Sequence, residues 1–352
     1  MGMCSPGDGG CKTPDVSEMY LVFLLRGMSL LKREEYASAE RAFQAALVVM
    51  RAMPPEKAPD GRALALYYMT LLRVRQGRDA EAREMREQAT ACLVSDPSWA
   101  QNTLFQGLMA GVLSALGEYR RAIPFCEQAV QLAAEQDDRV TLAELLSRLG
   151  SCYVRIGLRD HAAVPLREGL KIFRTLPGDP RLPAVLLDLG NALRKVEPAE
   201  AERYYQESAD WHVSRAQLES ATPAWVNLGV LCSEQDRHLE ALAHNEKVLR
   251  VREQSPGTSS RRIGMVVNNI ANCYRRMKQF EQAHQSLDRA LGLLEPDGGA
   301  SLASAYGTRG LILRDEGRDQ EAVESHAKLS SMRGAISKSK GGYSVFRVVP
   351  GV

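Results

Sequence analysis

Residues 267–291 read VNNIANCYRRMKQFEQAHQSLDRAL, and the pattern of this stretch decides the fold. Apolar residues recur at a helical period on both sides of a polar turn near Lys278, which predicts two amphipathic helices joined as a hairpin. Ala271 in the first helix and Ala283 and Ala290 in the second offer only methyl groups where the two helix axes must approach closely. The stretch is therefore typical of a helical hairpin.

The rest of the chain repeats this unit. A small or polar residue lies midway along each predicted first helix and recurs every 39 to 43 residues, and an alanine begins each second helix about a dozen residues later. Eight copies in so narrow a register predict a repeat array. We call these positions the first-helix landmarks (Gly27, Thr70, Ala110, Gly150, Gly190, Gly229, Ala271 and Gly310) and the second-helix landmarks (Ala39, Ala82, Ala122, Ala162, Ala201, Ala241, Ala283 and Ala322).

Glycine marks the turn between the two helices in several units. Gly77, Gly117, Gly157 and Gly317 each stand between a first-helix and a second-helix landmark. Glycine ends a helix readily because it adopts the left-handed backbone conformation that other residues resist. The fifth unit departs from this pattern, since its turn over residues 196–199 is one residue shorter and lacks glycine.

The residues around the landmarks resemble the tetratricopeptide repeat family over roughly residues 18–333. The matching positions are Tyr36, Ala39, Phe43, Ala46 and Leu47 in one unit, Leu149, Gly150, Tyr153, Gly157, Ala162 and Leu170 in another, and Trp225, Leu228, Gly229 and Ala241 in a third. The resemblance implies an all-α fold, a right-handed α-solenoid of about eight helix-turn-helix hairpins. The period exceeds the family's usual value of about 34 residues and is similar to the kinesin-light-chain style of repeat.

Composition agrees with a folded helical protein. Hydrophobic residues make up 45% of the chain and charged residues 25%, while the formal net charge of +2 is too balanced to indicate nucleic acid or an anionic membrane. The seven cysteines form no CxxC pair, and no apolar run is long enough to span a membrane. We therefore expect a cytoplasmic protein with reduced cysteines and no membrane partner.

Three segments are expected along the chain. Residues 1–14 are rich in glycine and proline, which predicts a flexible leader. Residues 15–333 form the array of eight repeats. Residues 334–352 form a C-terminal tail that is a candidate extended cap, because the last hairpin of an array otherwise presents an uncovered face to water.

The sequence offers little for catalysis. No GxGxxG, Walker, GxSxG or HExxH motif occurs, and no two of the six histidines are spaced three or four residues apart as a helical metal pair requires. We therefore expect no enzyme activity, no cofactor and no metal site.

The resemblance implies that the first helices line a concave groove. We predict a peptide-binding groove made of Arg148, Ser151, Arg155, Asp188, Asn191, Arg194, Asn227, Asn268, Asn269, Asn272, Arg275 and Arg276. Asparagine is a poor helix former, but its amide both donates and accepts, which suits the backbone of an extended peptide. The arginines are expected to pair with acidic side chains or a carboxylate of the partner.

The first three units are apolar at the same inward positions. Leu21, Leu24, Leu25, Met28, Leu31, Leu64, Tyr67, Tyr68, Leu71, Val74, Leu104 and Leu108 occupy them, and we predict a contact patch of Leu24, Met28, Tyr67, Tyr68, Leu71 and Leu108. An apolar surface of that size typically meets a partner helix, a second copy of the chain or the chain's own tail. The alternative is ordinary core packing.

Three functions remain open from the sequence. The first is a scaffold or adaptor that binds a protein or peptide, an extended segment of acidic character, with homo-oligomers formed through the apolar repeats or the C-terminal end. The second is a peptide-sensing regulator that controls an effector protein. The third, a helical repeat that binds nucleic acid, is disfavoured by the balanced charge and would show a steep dependence of affinity on salt.

Overall fold

The computed structural model describes residues 16–51, 59–93, 102–296 and 298–339. The predicted leader over residues 1–14, with Cys4 and Cys11, lies outside this range, as does the tail beyond Ser339. No helix in the described part is long and apolar enough to cross a membrane.

Within these ranges the chain forms sixteen α-helices and no strand, which confirms the all-α prediction. The helices are α1 Val16–Lys32, α2 Tyr36–Arg51, α3 Pro59–Arg75, α4 Asp79–Leu93, α5 Thr103–Ala115, α6 Tyr119–Glu135, α7 Arg139–Ile156, α8 Arg159–Phe173, α9 Leu182–Leu193, α10 Pro198–Val213, α11 Leu218–Glu234, α12 His238–Gln254, α13 Ser260–Arg276, α14 Phe280–Leu294, α15 Gly299–Asp315 and α16 Asp319–Ser339.

The chain divides into two compact units, Met1–Arg155 and Ile156–Val352. Unit 1 contains the hairpins α1–α2, α3–α4 and α5–α6, followed by α7. Unit 2 begins with α8 and continues with the hairpins α9–α10, α11–α12, α13–α14 and α15–α16. The second helix of one hairpin contacts the first helix of the next at α2 with α3 in unit 1 and throughout unit 2, as in α10 with α11, so that these hairpins stack.

A side chain of the second helix packs closely against the first-helix landmark of its own hairpin. A Cβ atom built on Gly190 would lie 2.5 Å from Cε1 of Tyr205, and one built on Gly229 would lie 2.8 Å from Nδ2 of Asn245. The partner stands 15 or 16 residues after the landmark, about two turns into the second helix. Where the landmark is alanine, the residue at that spacing is smaller than tyrosine, as with Cys126 after Ala110.

The same landmarks set the position of the turn. The residue seven positions after the first-helix landmark has a positive φ angle in every hairpin except that of α9 and α10: Glu34, Gly77, Gly117, Gly157, Asp236, Lys278 and Gly317. The exception is Glu197, with a φ of −133°. The sequence predicts that this turn is one residue shorter than those of the other units. The preceding helix, α9, has only 12 residues.

Helix α16 continues beyond the predicted end of the array. The repeat pattern stops near Arg333, but α16 ends at Ser339. Residues 334–339, the first six of the predicted tail, therefore belong to this helix.

Replacing Gly190 with alanine is expected to destabilise the protein by about 1–3 kcal/mol, because the new methyl group overlaps the ring of Tyr205 in a packed core. Urea unfolding followed by circular dichroism measures the loss. Tyr205→Cys, which copies the pair of Ala110 and Cys126, should make the double variant lose less than the sum of the two single changes.

Gly292→Ala is the matched control, because a Cβ atom on Gly292 meets nothing within 4 Å on the exposed side of α14. Alanine is the better helix former, so this variant should be unchanged or slightly more stable. Equal losses for the two glycine variants would contradict the close-packing explanation.

Candidate functional site

Four of the predicted groove residues are asparagines on successive first helices of unit 2. Asn191, Asn227, Asn269 and Asn272 lie on the first helices α9, α11 and α13, and all four side chains are half-buried. Helices α9 and α11 touch each other, as do α13 and α15. We call these four residues the asparagine face of unit 2.

Asn191 and Asn227 are tied together across two hairpins. The hydroxyl of Tyr205 donates to Oδ1 of Asn191 at 2.9 Å, and Nδ2 of Asn227 donates to the same oxygen at 3.0 Å. Burial raises the pKa of Tyr205, so its hydroxyl keeps the proton that it donates. With Oδ1 of Asn191 occupied, its Nδ2 group remains available as a donor, and Oδ1 of Asn227 remains available as an acceptor.

A second amide pair lies one hairpin further along. Nδ2 of Asn269 donates to Oδ1 of the buried Asn245 at 3.5 Å, which is a long hydrogen bond. Oδ1 of Asn272 accepts from Nε of Arg275 at 2.9 Å. The asparagine face therefore has an acceptor at Asn269 and a donor at Asn272 with no partner among the residues that the structure covers.

Three further polar groups nearby lack partners although they are buried. Oδ1 of Asn268 has no hydrogen bond among the described residues, and the residue is 7% exposed. Nε of Arg276 and Oγ of Ser233 are in the same state. Buried polar groups without partners cost free energy, so these three atoms are costs of folding in α11 and α13 rather than ligand contacts.

Two predicted groove cations in unit 2, Arg194 and Arg275, form ion pairs within the protein. Arg194 and Lys195 both pair with Glu234 of the next hairpin, at 3.3 and 2.9 Å. Arg275 pairs with Asp315 in the same way. Arg194 and Arg275 are therefore already paired within the protein, and their expected pairing with acidic side chains of a partner stays a prediction.

The remaining predicted groove residues are spread over both units. Asp188 is half-buried on α9 of unit 2. In unit 1, Ser151 and Arg148 are half-buried on α7, while Arg155 is exposed. Arg148 reaches across to α5, since a Cβ atom built on Gly111 would lie 3.2 Å from its Nη1 atom.

The predicted apolar patch separates into core and surface residues. Leu24, Tyr67 and Leu108 are buried in the helix-helix core of unit 1, so they cannot contact a partner. This part of the patch is corrected to core packing, because these side chains point between helices. Met28, Tyr68 and Leu71 are only half-buried.

Two supporting residues were not identified from the sequence. Tyr205 and Asn245 orient the asparagine face from the second helices, and both stand four residues after a second-helix landmark. The available signal was a polar residue at a position that is apolar in other hairpins, such as Phe43 in the first and Leu287 in the seventh.

No three His, Cys, Asp or Glu side chains in the described ranges come close enough together to hold a metal ion. The four cysteines Cys126, Cys152, Cys232 and Cys273 are buried as free thiols.

Comparison with known families and structures places the fold. The tetratricopeptide repeat family model matches residues 101–175 and 220–295. Comparison with curated proteins gave no match.

Several solved structures are similar over most of their length. The apo form of RapI has a TM-score of 0.66 with 14% identity, over 92% of this chain and 93% of that one. A Rap protein complexed with Competence and Sporulation Factor has a TM-score of 0.60 with 12% identity, over 92% and 99%. The quorum sensor NprR from B. thuringiensis has a TM-score of 0.58 with 12% identity, over 91% and 100%.

The fold and the repeated hairpins define a helical-repeat protein. More narrowly, residues 101–175 and 220–295 match the tetratricopeptide repeat family, in agreement with the family that the sequence pattern predicted.

Replacing Asp315 with asparagine is expected to cost about 1–3 kcal/mol of stability, because Arg275 is 7% exposed and would keep a buried charge without its carboxylate. The free energy of unfolding of the variant measures this cost. Glu321→Gln is the control, since Arg318 and Glu321 form a solvent-exposed pair. If Glu321→Gln lowered the free energy of unfolding as much as Asp315→Asn, the explanation that burial makes the loss of Asp315 costly would be wrong.

Proposed function

We propose that this protein is a non-enzymatic scaffold that binds an extended peptide segment along the asparagine face of unit 2. The observation that carries the proposal is a set of amide groups on Asn191, Asn227, Asn269 and Asn272 that have no partner within the part of the chain that the structure describes; they lie on the first helices of three successive hairpins.

The chemistry of these groups matches a peptide backbone. An extended chain presents N–H donors and C=O acceptors along its length, and its backbone must be paired when it is taken out of water. The donors at Asn191 and Asn272 fit carbonyl oxygens, and the acceptors at Asn227 and Asn269 fit N–H groups. A ligand recognised in this way is selected mainly for being extended.

The asparagine face is organised before a ligand arrives. The hydrogen bonds from Tyr205 and Asn227 hold the amide of Asn191 in one orientation. Side chains that are already ordered lose less conformational entropy on binding, which improves affinity without additional contacts.

The charged groove residues of unit 2 restrict the chemistry of the expected ligand further. Arg194 and Arg275 are paired with Glu234 and Asp315, so they offer little to the phosphates of a nucleic acid, and this weakens the nucleic-acid alternative. Arg276 is the half-buried groove cation of unit 2 that has no carboxylate partner in the described residues. We therefore expect an extended, mostly neutral segment with one acidic group near Arg276.

A second candidate is a regulator that responds to the bound segment. The similar structures favour it, because one is a Rap protein complexed with Competence and Sporulation Factor and another is called a quorum sensor. In that case the same asparagine face would bind the signal, and a further protein would respond to the liganded state.

Selection from a display library of random linear peptides, with the full chain as target, provides a ligand for testing both candidates. The double variant Asn269→Ala/Asn272→Ala is expected to bind the selected peptide at least tenfold more weakly, measured by calorimetry, because it removes one acceptor and one donor. N-methylation of the central peptide bonds should weaken binding similarly, since side chains are unchanged while backbone donors are lost.

The matched control is Gln282→Ala/Gln285→Ala, which removes two exposed amides with the same three-residue spacing from α14 of the same hairpin. It should leave affinity unchanged. Equal affinity of the asparagine double variant and the wild type, with helicity retained, would disprove the proposed mode of binding.

A further inference from the structure

Unit 1 carries an inner surface of different chemistry. The first helices α1, α3 and α5 lie side by side, since α1 contacts α3 and α3 contacts α5. The same three helical positions, spaced i, i+4 and i+7, are apolar or glycine in each helix. We call Leu21, Leu25, Met28, Tyr68, Leu71 and Leu104 the apolar face of unit 1.

This face is open to solvent to an unusual degree. Leu21 is 51% exposed, and Leu25 and Leu104 are each 60% exposed. Met28 on α1 and Tyr68 and Leu71 on α3 are half-buried. Exposed leucines on α1 and α5, with half-buried apolar side chains on the intervening helix α3, are typical of a surface that is covered in use, because burying apolar side chains lowers the free energy.

The apolar face does not suit an extended peptide. Its residues offer no amide or hydroxyl groups apart from the hydroxyl of Tyr68, so the backbone N–H and C=O groups of an extended ligand would lose water without gaining partners. An α-helix satisfies its own backbone internally and presents only side chains. The chemistry therefore selects a helix, in contrast to the asparagine face.

One charge lies at the edge of this face. The guanidinium of Arg148 lies against α5 at Gly111, which is seven residues after Leu104 and thus on the same side of that helix, about 10 Å along it. Arg148 has no carboxylate within ion-pair distance among the residues that the structure describes, and its Nε atom is buried without a hydrogen bond. A half-buried arginine of this kind gains most from a carboxylate that forms two hydrogen bonds.

We propose that the apolar face of unit 1 binds an amphipathic helix of another protein, with an Asp or Glu near one end of its apolar stripe that pairs with Arg148. Three helices packed about 9 Å apart span about 20 Å, which a helix of about four turns covers. This binding site is separate from the asparagine face, which lies in unit 2, so either proposal can fail without the other.

The test uses a displayed library of 16-residue helices with a fixed polar face and a randomised inner face, selected against the full chain. We expect helices with Leu, Ile or Phe on the inner face and Asp or Glu at one end. The double variant Leu25→Glu/Leu104→Glu should weaken binding of the selected helix at least tenfold. Val48→Glu is the matched control, because Val48 is 64% exposed on the second helix α2 of the same unit, and it should have no effect.

The role of Arg148 is tested by a double-mutant cycle. Arg148→Gln should weaken binding of the acidic helix about tenfold. It should hardly change binding of the same helix with Gln in place of its acidic residue, so that the two changes are not additive. Circular dichroism checks that the variants are folded. If the double glutamate variant loses helicity, the proposal is tested instead by the binding of the selected helix to Leu104→Glu alone and by the Arg148 cycle.

Three results would overturn the proposal. The first is the absence of any enriched helix, and the second is a selected helix that binds the leucine variants as tightly as the wild type. The third is a wild-type dimer, seen by light scattering, that Leu25→Glu/Leu104→Glu dissociates, because a second copy would then cover the face. The proposal would also be overturned if Asn269→Ala/Asn272→Ala weakened binding of the enriched helices, because those helices would then bind the asparagine face of unit 2.

Discussion

The rest of the structure depends on one contact, in which a side chain of the second helix packs against the first-helix landmark of the same hairpin. Gly190 leaves room for Tyr205, and Gly229 leaves room for Asn245. A methyl group at either position would overlap its neighbour, so the landmark determines how closely the two helices approach. Hairpins of constant thickness can then stack at a regular interval, which keeps the first helices side by side.

That contact also connects the scaffold to the candidate site. In the hairpins of α9 and α11 the packed side chain is polar, so it fills the space and also extends a hydrogen-bonding group to the inner surface. Tyr205 thereby orients Asn191, and Asn245 accepts from Asn269. The first and seventh hairpins carry Phe43 and Leu287 at this position, which pack without orienting anything. The same position can therefore serve stability alone, or both stability and binding.

The two units present inner surfaces of different chemistry on one kind of helical repeat. First helices in unit 1 present leucine, methionine and tyrosine, whereas those in unit 2 present asparagine and internally paired charges. An apolar surface favours a ligand whose backbone is already satisfied, and an amide surface favours one whose backbone is not. Fold alone therefore does not decide the ligand class of this repeat protein.

The sequence by itself determined the eight successive repeats, the order of the helices and most turn positions, because these depend on the spacing of residues along the chain and on glycine at the turn. It did not reveal that Glu34, Asp236 and Lys278 adopt the left-handed conformation, since the constraint comes from closing the hairpin. Nor did it show that Glu234 and Asp315 neutralise Arg194 and Arg275, or that Tyr67 is core while Leu25 is surface. Only the tertiary structure decided these points, because pairing and burial depend on residues about 40 positions away that stacking brings into contact.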